Sequence, residues 1–456
     1  MIASTNPATG EVVARFDVFD ESRIDEALTR ASAAQRTWRQ RPLRERASLM
    51  TAVATLLRAR KARYAAVVTL EMGKPIAEAE AEVEKCALCC DYYADNAAQF
   101  VGDEMVPAAG SAHRVVFDPL GLVLAIMPWN YPLWQVMRFA APAVVAGNGA
   151  VLKHANNVPQ CALLLEEVFR DAGAPEGLFT TLLVDSSRVK ALIEDPRIVA
   201  VTLTGSTPVG KLVAAQAGAV LKKQVLELGG SDPFIVLADA DIEAAAKVAV
   251  KARFQNAGQS CICAKRFIVE HSVADRFVEA LHAHVTRLKV GDPMKRTTDM
   301  GPMARPDLRT ELHRQVQRTL GQGGSLLTGG RSPDSPGAFY APTLIDHVTP
   351  AMAIGAEETF GPVAAVMRVG GPAEAIALAN ATEFGLGAAL WTSDLDRAER
   401  LVREIDAGAV FVNGLVASDP RLPFGGLKQS GYGRELGSYG IREFTNIKTV
   451  YVGTAR

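Results

Sequence analysis

The chain has 456 residues, more than one compact unit accommodates, so two or three domains with large cores are expected. Hydrophobic residues make up 48% and charged residues 22%, the balance of a globular enzyme, and a formal net charge of −1 gives nucleic acid or an anionic membrane no electrostatic hold. The opening Met1-Ile-Ala-Ser-Thr-Asn-Pro7 has neither a basic region nor an apolar stretch, so no signal peptide is expected, and the apolar run 140–147 is too short to span a bilayer and is broken by Pro142.

In chain order, residues 21 to 100 read as helices: Ile24, Ala27, Leu28 and Ala31 recur at helical spacing, and 49–57 repeats the pattern. Cys86, Cys89 and Cys90 fall in the helical pattern 76–100. No second CxxC or nearby His pair completes four ligands, so packed thiols are expected there and no metal. His282 and His284, two apart on a predicted helix, do not share a face. Six cysteines in so long a chain make no disulfide framework, which places the protein in a reducing cytoplasm.

Further on, short apolar runs alternate with helical stretches: 122–127 before 134–145, 150–152 before 160–171, 199–204 before 209–217, then 224–226. Such alternation predicts an α/β fold with a parallel sheet covered by helices. A second series starts at Pro233, runs through a helix at 242–254 and a strand at 266–269, and continues towards residue 430. The switch falls near Gly229-Gly230-Ser231. The segments 113–118 and 446–452 are strand-like but lie outside both series, as extensions that pair with another subunit often do.

Four local patterns carry chemistry. In Gln255-Asn-Ala-Gly-Gln-Ser-Cys261-Ile-Cys263, a cysteine follows a Gly-containing polar turn between helix and strand. A thiolate presented there is a strong nucleophile, whereas a buried thiol is only a small hydrophobe. In Met127-Pro-Trp-Asn130-Tyr-Pro132, two prolines hold a rigid turn that leaves the Asn130 amide to donate to an oxyanion, or simply to form the turn. Glu227, before Leu-Gly-Gly230, ends a strand beside flexible backbone. That suits a general base, and equally a solvent-facing or capping carboxylate. Gly205-Ser-Thr-Pro-Val-Gly210-Lys211 opens a helix and offers a phosphate site. Leu212 stands where a P-loop carries Ser or Thr, so a nucleotide hydrolase is the weaker reading, and the motif is not G-x-G-x-x-G either.

Taken together and in order, PWNYP at 128–132, Lys153 after a strand, GSTPVG at 205–210, ELGG at 227–230, GQSC at 258–261, EETFGP at 357–362 and PFGG at 423–426 resemble the aldehyde dehydrogenase superfamily over nearly the whole chain. The resemblance implies two Rossmann-like parallel-sheet domains plus a small β oligomerisation arm. Residues 1–112 and 120–230 would form the cofactor-binding domain and 231–432 the catalytic domain, with 113–119 and 433–456 as bridging segments. It further implies that Cys261 attacks an aldehyde, that Asn130 and the Cys261 backbone N–H hold the oxyanion, and that Glu227 activates the water releasing the acid. Met127, Pro128, Trp129, Lys153, Asn156, Gly205, Ser206, Leu228, Glu358 and Phe360 would line NAD or NADP. Asn156 stands where many NAD-preferring members carry a Glu that repels a 2′-phosphate, so the lean is to NADP.

Trp134 and Arg138 lie four apart on one predicted helix face, and a buried Arg needs a partner. A substrate carboxylate held bidentate would serve, as would a protein carboxylate. Similarity to bacterial succinate semialdehyde dehydrogenases favours the former, with Ser418 as a second contact and Phe424 at the substrate entrance. The implied substrate is a small carboxylated aldehyde; glutarate semialdehyde or neutral aldehydes are the alternatives, because Gln255 stands where some of these enzymes have a second Arg. The Cys261-x-Cys263 pair suggests a reversible disulfide switch, against the alternative of an inert neighbouring thiol. A homodimer or homotetramer is implied, with neither nucleic acid nor membrane as partner. A non-catalytic member of the fold is disfavoured by the intact Asn130, Glu227 and Cys261.

Overall fold

The computed structural model describes residues 1–107, 112–334 and 336–453; the expected segments 1–112, 231–432 and 433–456 therefore each include positions outside the described residues. The α/β alternation resolves into two sheets. The first has six strands in the order Gly431–Tyr432, Lys223–Glu227, Ile198–Thr204, Leu122–Met127, Gly149–His154 and Phe179–Thr181, all parallel except the first pair. Its central strands are buried along their whole length, as strands covered on both faces are. The period of two sorts their side chains. Val123, Ala125 and Met127 face a core built with helices Leu43–Ala59, Ile76–Val101 and Trp134–Ala146. Leu122, Leu124 and Ile126 face a second core under helices Glu21–Trp38 and Thr207–Ala219.

The second sheet has seven strands, Ser325–Thr328, Thr343–Asp346, Val363–Val369, Ala264–Glu270, Asp232–Val236, Gly387–Trp391 and Ala409–Val412, parallel apart from the first pair. Helices Ile242–Phe254 and His271–Val285 cover one face. Helices Pro372–Asn380 and Leu395–Leu401 cover the other. The stretch expected as one unit, 231–432, does not stay with this sheet to its end, because Gly431–Tyr432 returns to pair antiparallel with the first sheet. Two residues are too few to show a strand period, so only the pairing reveals them.

The two segments outside both series pair with one another: Thr445–Val452 runs antiparallel to Ala112–Pro119, with Glu104–Val106 on the far side. Ile447 and Tyr451 are exposed on this three-stranded sheet.

Helix 76–101 presents two stripes, one to the core and one to a cavity. Ile76, Ala79, Val83, Cys86, Cys90, Tyr93, Ala97 and Phe100 recur every three or four residues and are buried, with Ala87 and Cys89 beside them, so the cysteines are core thiols, as the pattern predicts. The second stripe, Glu78, Ala81, Glu82 and Lys85, lines the cavity. Among the described residues no helix is long and apolar enough to cross a membrane.

Candidate active site

The carboxyl ends of the first sheet carry one half of the site. Strand 122–127 runs into the 128–132 turn, and the neighbouring strand ends at His154, opposite Met127. His154 Nε2 donates to the Pro132 carbonyl at 2.8 Å and Nδ1 accepts the Ala155 N–H at 2.9 Å. Burial pushes this imidazole down to about 4, so the neutral ring pins the turn throughout the physiological range. Asn130 is buried, and its amide is less free than its place between prolines suggests. Its Nδ2 donates to the Gln259 carbonyl at 3.0 Å, and its Oδ1 accepts Gln135 Nε2 at 3.1 Å. One N–H is committed to the nucleophile's loop; the second remains for a ligand.

That loop leaves helix 242–254 through a left-handed turn, with φ of 53° at Asn256, 52° at Ala257 and 70° at Gly258. Such conformations cost about 1–3 kcal/mol each at non-glycine positions and persist only when the surroundings fix them. Here Glu78 accepts the Asn256 N–H at 2.8 Å, Asn256 Nδ2 donates to the Asn130 carbonyl at 2.8 Å, and Gln259 Oε1 accepts the Ala304 N–H at 2.9 Å. A Cβ on Gly258 would lie 2.4 Å from the Gly361 carbonyl, so only glycine fits. The turn delivers Cys261 half-buried onto the cavity. Burial pushes its thiol up to about 12, while Arg138 and Lys265 pull the other way. Lys265 Nζ donates to the Cys261 carbonyl at 2.7 Å and to that of Ser260 at 3.0 Å. Cys263, beside Arg253, is fully buried, and burial raises its thiol as well. Both cysteines are free.

Glu227 ends strand 223–227, buried, and among the described residues neither carboxylate oxygen has a hydrogen-bond partner. Burial and the nearby Glu435 push its carboxyl well above the usual range, with Arg138 opposing them. A Cβ on Gly425 would come within 2.8 Å of Glu227 Oε1, so glycine keeps that approach open.

Arg138 answers one question the sequence left open. Its guanidinium forms an ion pair with Glu435, both side chains at most 3% exposed, and lies 4.4 Å above the Phe424 ring. In the structure the partner of its Nε is thus a protein carboxylate, and Arg138 lines the cavity with its guanidinium paired to Glu435. Sequence reasoning missed Glu435, which lies in a segment read as a bridging extension.

The cavity, about 440 Å³, brings together Cys261, Trp134, Arg138, Ser418 and Phe424 from separate stretches of the chain. Trp134 Nε1 donates to Ser418 Oγ at 3.1 Å, and so does Lys85 Nζ at 2.7 Å. Sequence reasoning also missed Lys85; its stripe on helix 76–101 was legible, but nothing linked it to Ser418. Glu82, on the same stripe, pairs with buried Lys74 and accepts the N–H groups of Leu133 and Trp134 at 2.9 and 3.0 Å, capping the helix that carries Trp134 and Arg138.

The other expected residues lie at or beyond the carboxyl ends of first-sheet strands and before strand 363–369 of the second sheet. Lys153 and exposed Asn156, with Nζ to Oδ1 at 3.3 Å, line a second cavity of about 580 Å³ with Asp185, Ser186 and Arg305. Gly205 and Ser206 precede helix 207–219, and Ser206 makes no side-chain cap, so the positive helix end is left open. Leu228 packs on Gly210 beneath it. Glu358 accepts the Gly230 N–H at 3.0 Å. Phe360 meets Trp129 edge to face at 5.8 Å, and Met127 and Pro128 lead into that turn. An open helix end flanked by an ammonium on one side and a half-buried carboxylate on the other fits a dinucleotide.

The sequence profile of the aldehyde dehydrogenase family matches residues 1–450. A probable succinate-semialdehyde dehydrogenase [NADP(+)] of Synechocystis sp. is 51% identical over 451 residues, 99% of each chain. Succinate-semialdehyde dehydrogenase [NADP(+)] 1 of Mycobacterium tuberculosis is 50% identical over 454 residues, again 99% of each. Among solved structures, succinic semialdehyde dehydrogenase from Streptococcus pyogenes in complex with NADP+ superposes with a TM-score of 0.97 at 38% identity, covering 100% of both chains.

Proposed function

The chain belongs to the aldehyde dehydrogenase family, and from that premise we propose that it oxidises succinate semialdehyde to succinate with NADP as the hydride acceptor. The observation that carries this reading is a thiol, Cys261, opening onto the same cavity as the cations Lys85, Arg138 and Lys251 and the Ser418 hydroxyl. A reactive sulfur and a place for a carboxylate thus share one chamber.

The Cys261 thiolate adds to the aldehyde carbon. The oxyanion accepts the uncommitted N–H of Asn130 and the backbone N–H of Cys261. NADP, when bound, supplies the hydride acceptor that turns this adduct into a thioester. Glu227, made a stronger base by burial and by the nearby Glu435, takes a proton from water, and the resulting hydroxide releases succinate and restores the thiol. Arg138, fixed by Glu435, adds positive potential beside Cys261 and favours its thiolate. The open end of helix 207–219 would take the pyrophosphate, Lys153 the adenosine ribose and Glu358 the nicotinamide ribose. Exposed Asn156, with no negative charge to repel a 2′-phosphate, supports NADP, as do the names of the relatives.

We assign 1–112 and 120–230 to cofactor binding, 231–432, except the strand Gly431–Tyr432 that joins the first sheet, to catalysis, and 113–119 with 433–456 to a homodimer or homotetramer contact; exposed Ile447 and Tyr451 support the last. Six free thiols fit a reducing cytoplasm.

Absorbance at 340 nm with succinate semialdehyde, glutarate semialdehyde and butanal, each with NADP and NAD, tests the reading. Succinate semialdehyde with NADP should give the highest kcat/KM; a higher value with butanal overturns the substrate and leaves the dehydrogenase.

A further inference from the structure

Two carboxylates that bear on the charge of Lys85, Glu82 and Asp419, have partners of their own. Glu82 pairs with Lys74 and caps a helix, Asp419 pairs with Arg421 at 2.6 Å, and Glu435 pairs with Arg138. Lys85 itself forms no ion pair among the described residues. Its ammonium rests 4.3 Å from the Trp134 ring centroid and gives one N–H to Ser418 Oγ, leaving two. Burial beside Arg138 pushes this ammonium down to about 8, a sign of a charge without its counter-ion.

Ser418 completes the arrangement. Its oxygen receives hydrogen bonds from both Lys85 and Trp134, which occupy its lone pairs, so its own hydrogen must be donated. Two donors 2.7 Å apart therefore have bonds left to give at one wall of the cavity that holds Cys261. An anionic group with two oxygens meets that demand; a water or an alcohol leaves the charge unanswered. Arg138, which also borders the cavity, already holds Glu435 on its Nε side.

We propose that Lys85 is the residue by which this chain selects its substrate, its ammonium and the Ser418 hydroxyl together taking the carboxylate oxygens of the aldehyde. The inference rests on the substrate reading above and adds to it the group that recognises the acid end.

Lys85→Met keeps the apolar stem over Trp134 and removes only the charge. For succinate semialdehyde its KM should rise about 10- to 100-fold, the range of a lost hydrogen bond to a charged group, with kcat little changed. Turnover of butanal should match the parent, showing that the fold and Cys261 are intact, and Lys85→Arg should recover most of the loss. Equal losses for both aldehydes, or an unchanged KM for succinate semialdehyde, overturn the proposal. A parent enzyme that prefers butanal overturns the substrate reading instead. The inhibition constant of succinate against butanal then decides the role of Lys85: a rise of similar size in Lys85→Met sustains carboxylate recognition there, and no rise overturns it.

Discussion

The two sheets present opposite edges to the cleft. Asn130, Lys153, Gly205 and Glu227 all sit at or just beyond the carboxyl ends of first-sheet strands, whereas Cys261, Glu358 and Phe360 precede the amino ends of strands 264–270 and 363–369. The difference is electrostatic. Carboxyl ends lead into helix N-termini, whose positive ends suit an anionic cofactor. Amino ends follow helix C-termini, and helix 242–254 stops seven residues before Cys261 with its negative end towards the loop. A thiolate there gains nothing from a helix dipole, so side-chain cations, Arg138 and Lys265, supply the stabilisation.

The strongest way to sharpen this contrast is Cys261→Ala. It should lower turnover by at least about 10⁴-fold, yet NADP should still bind with unchanged affinity in a fluorescence titration, since its anchors belong largely to the other sheet. Weakened binding would mean that the two edges are not separable.

Glu227→Gln should cut steady-state turnover by about 10²- to 10⁴-fold while a burst of one NADPH per chain survives, because hydride transfer precedes hydrolysis. A lost burst would place Glu227 earlier in the reaction. The same variant has a pH signature. Because the folded-state pKa of Glu227 is raised, the stability it contributes is complete below its ordinary value of 4.5 and is lost as pH rises towards the folded-state value. Gln does not titrate, so the Tm of the variant relative to the parent should climb as pH rises above 4.5 in a thermal-shift assay; a flat difference contradicts the assignment.

Arg138→Met leaves Glu435 buried without its cation and should cost about 3–5 kcal/mol in denaturant unfolding. Adding Glu435→Leu should restore much of that; no recovery would show that the pair is not the reason Arg138 is buried. Asn156→Glu places a negative charge on the cofactor side and should weaken NADP relative to NAD by about 10- to 100-fold, read from the two KM values. The smallest effect concerns Cys263. With its thiol buried, oxidation has to begin at Cys261. If a disulfide between the two forms, Cys263→Ala should lose the dithiothreitol-reversible part of peroxide inactivation, and identical behaviour to the parent refutes the switch.

The same asymmetry governed what the sequence could reveal. Apolar runs such as Leu122–Met127 and the turn at 128–132 announce themselves, because a strand leading into a rigid or glycine-containing turn is a local pattern. Cys261 needed its whole motif, since nothing local separates a presented thiol from the packed Cys86 or Cys90. Glu435 and Lys85 left no signal. Their partners, Arg138 and Ser418, lie some 300 residues away in the chain, and a pairing made only by tertiary folding has no spacing to read. The left-handed turn at Asn256 and Ala257 was equally hidden, because its cause is bracing by Glu78 and Gln259 rather than its own residues.

Glu82 ties two elements into one. By holding Lys74 and two amides at the start of helix 134–146, it bolts that helix to helix 76–101, so two walls of the chamber behave as a single casting. Natural or laboratory selection for a longer or bulkier aldehyde has little to gain by sliding those walls apart. The adjustable side is the loop 415–418, attached to the casting at Ser418 by the hydrogen bonds of Lys85 and Trp134, and it is there that new specificities should arise with the least loss of stability.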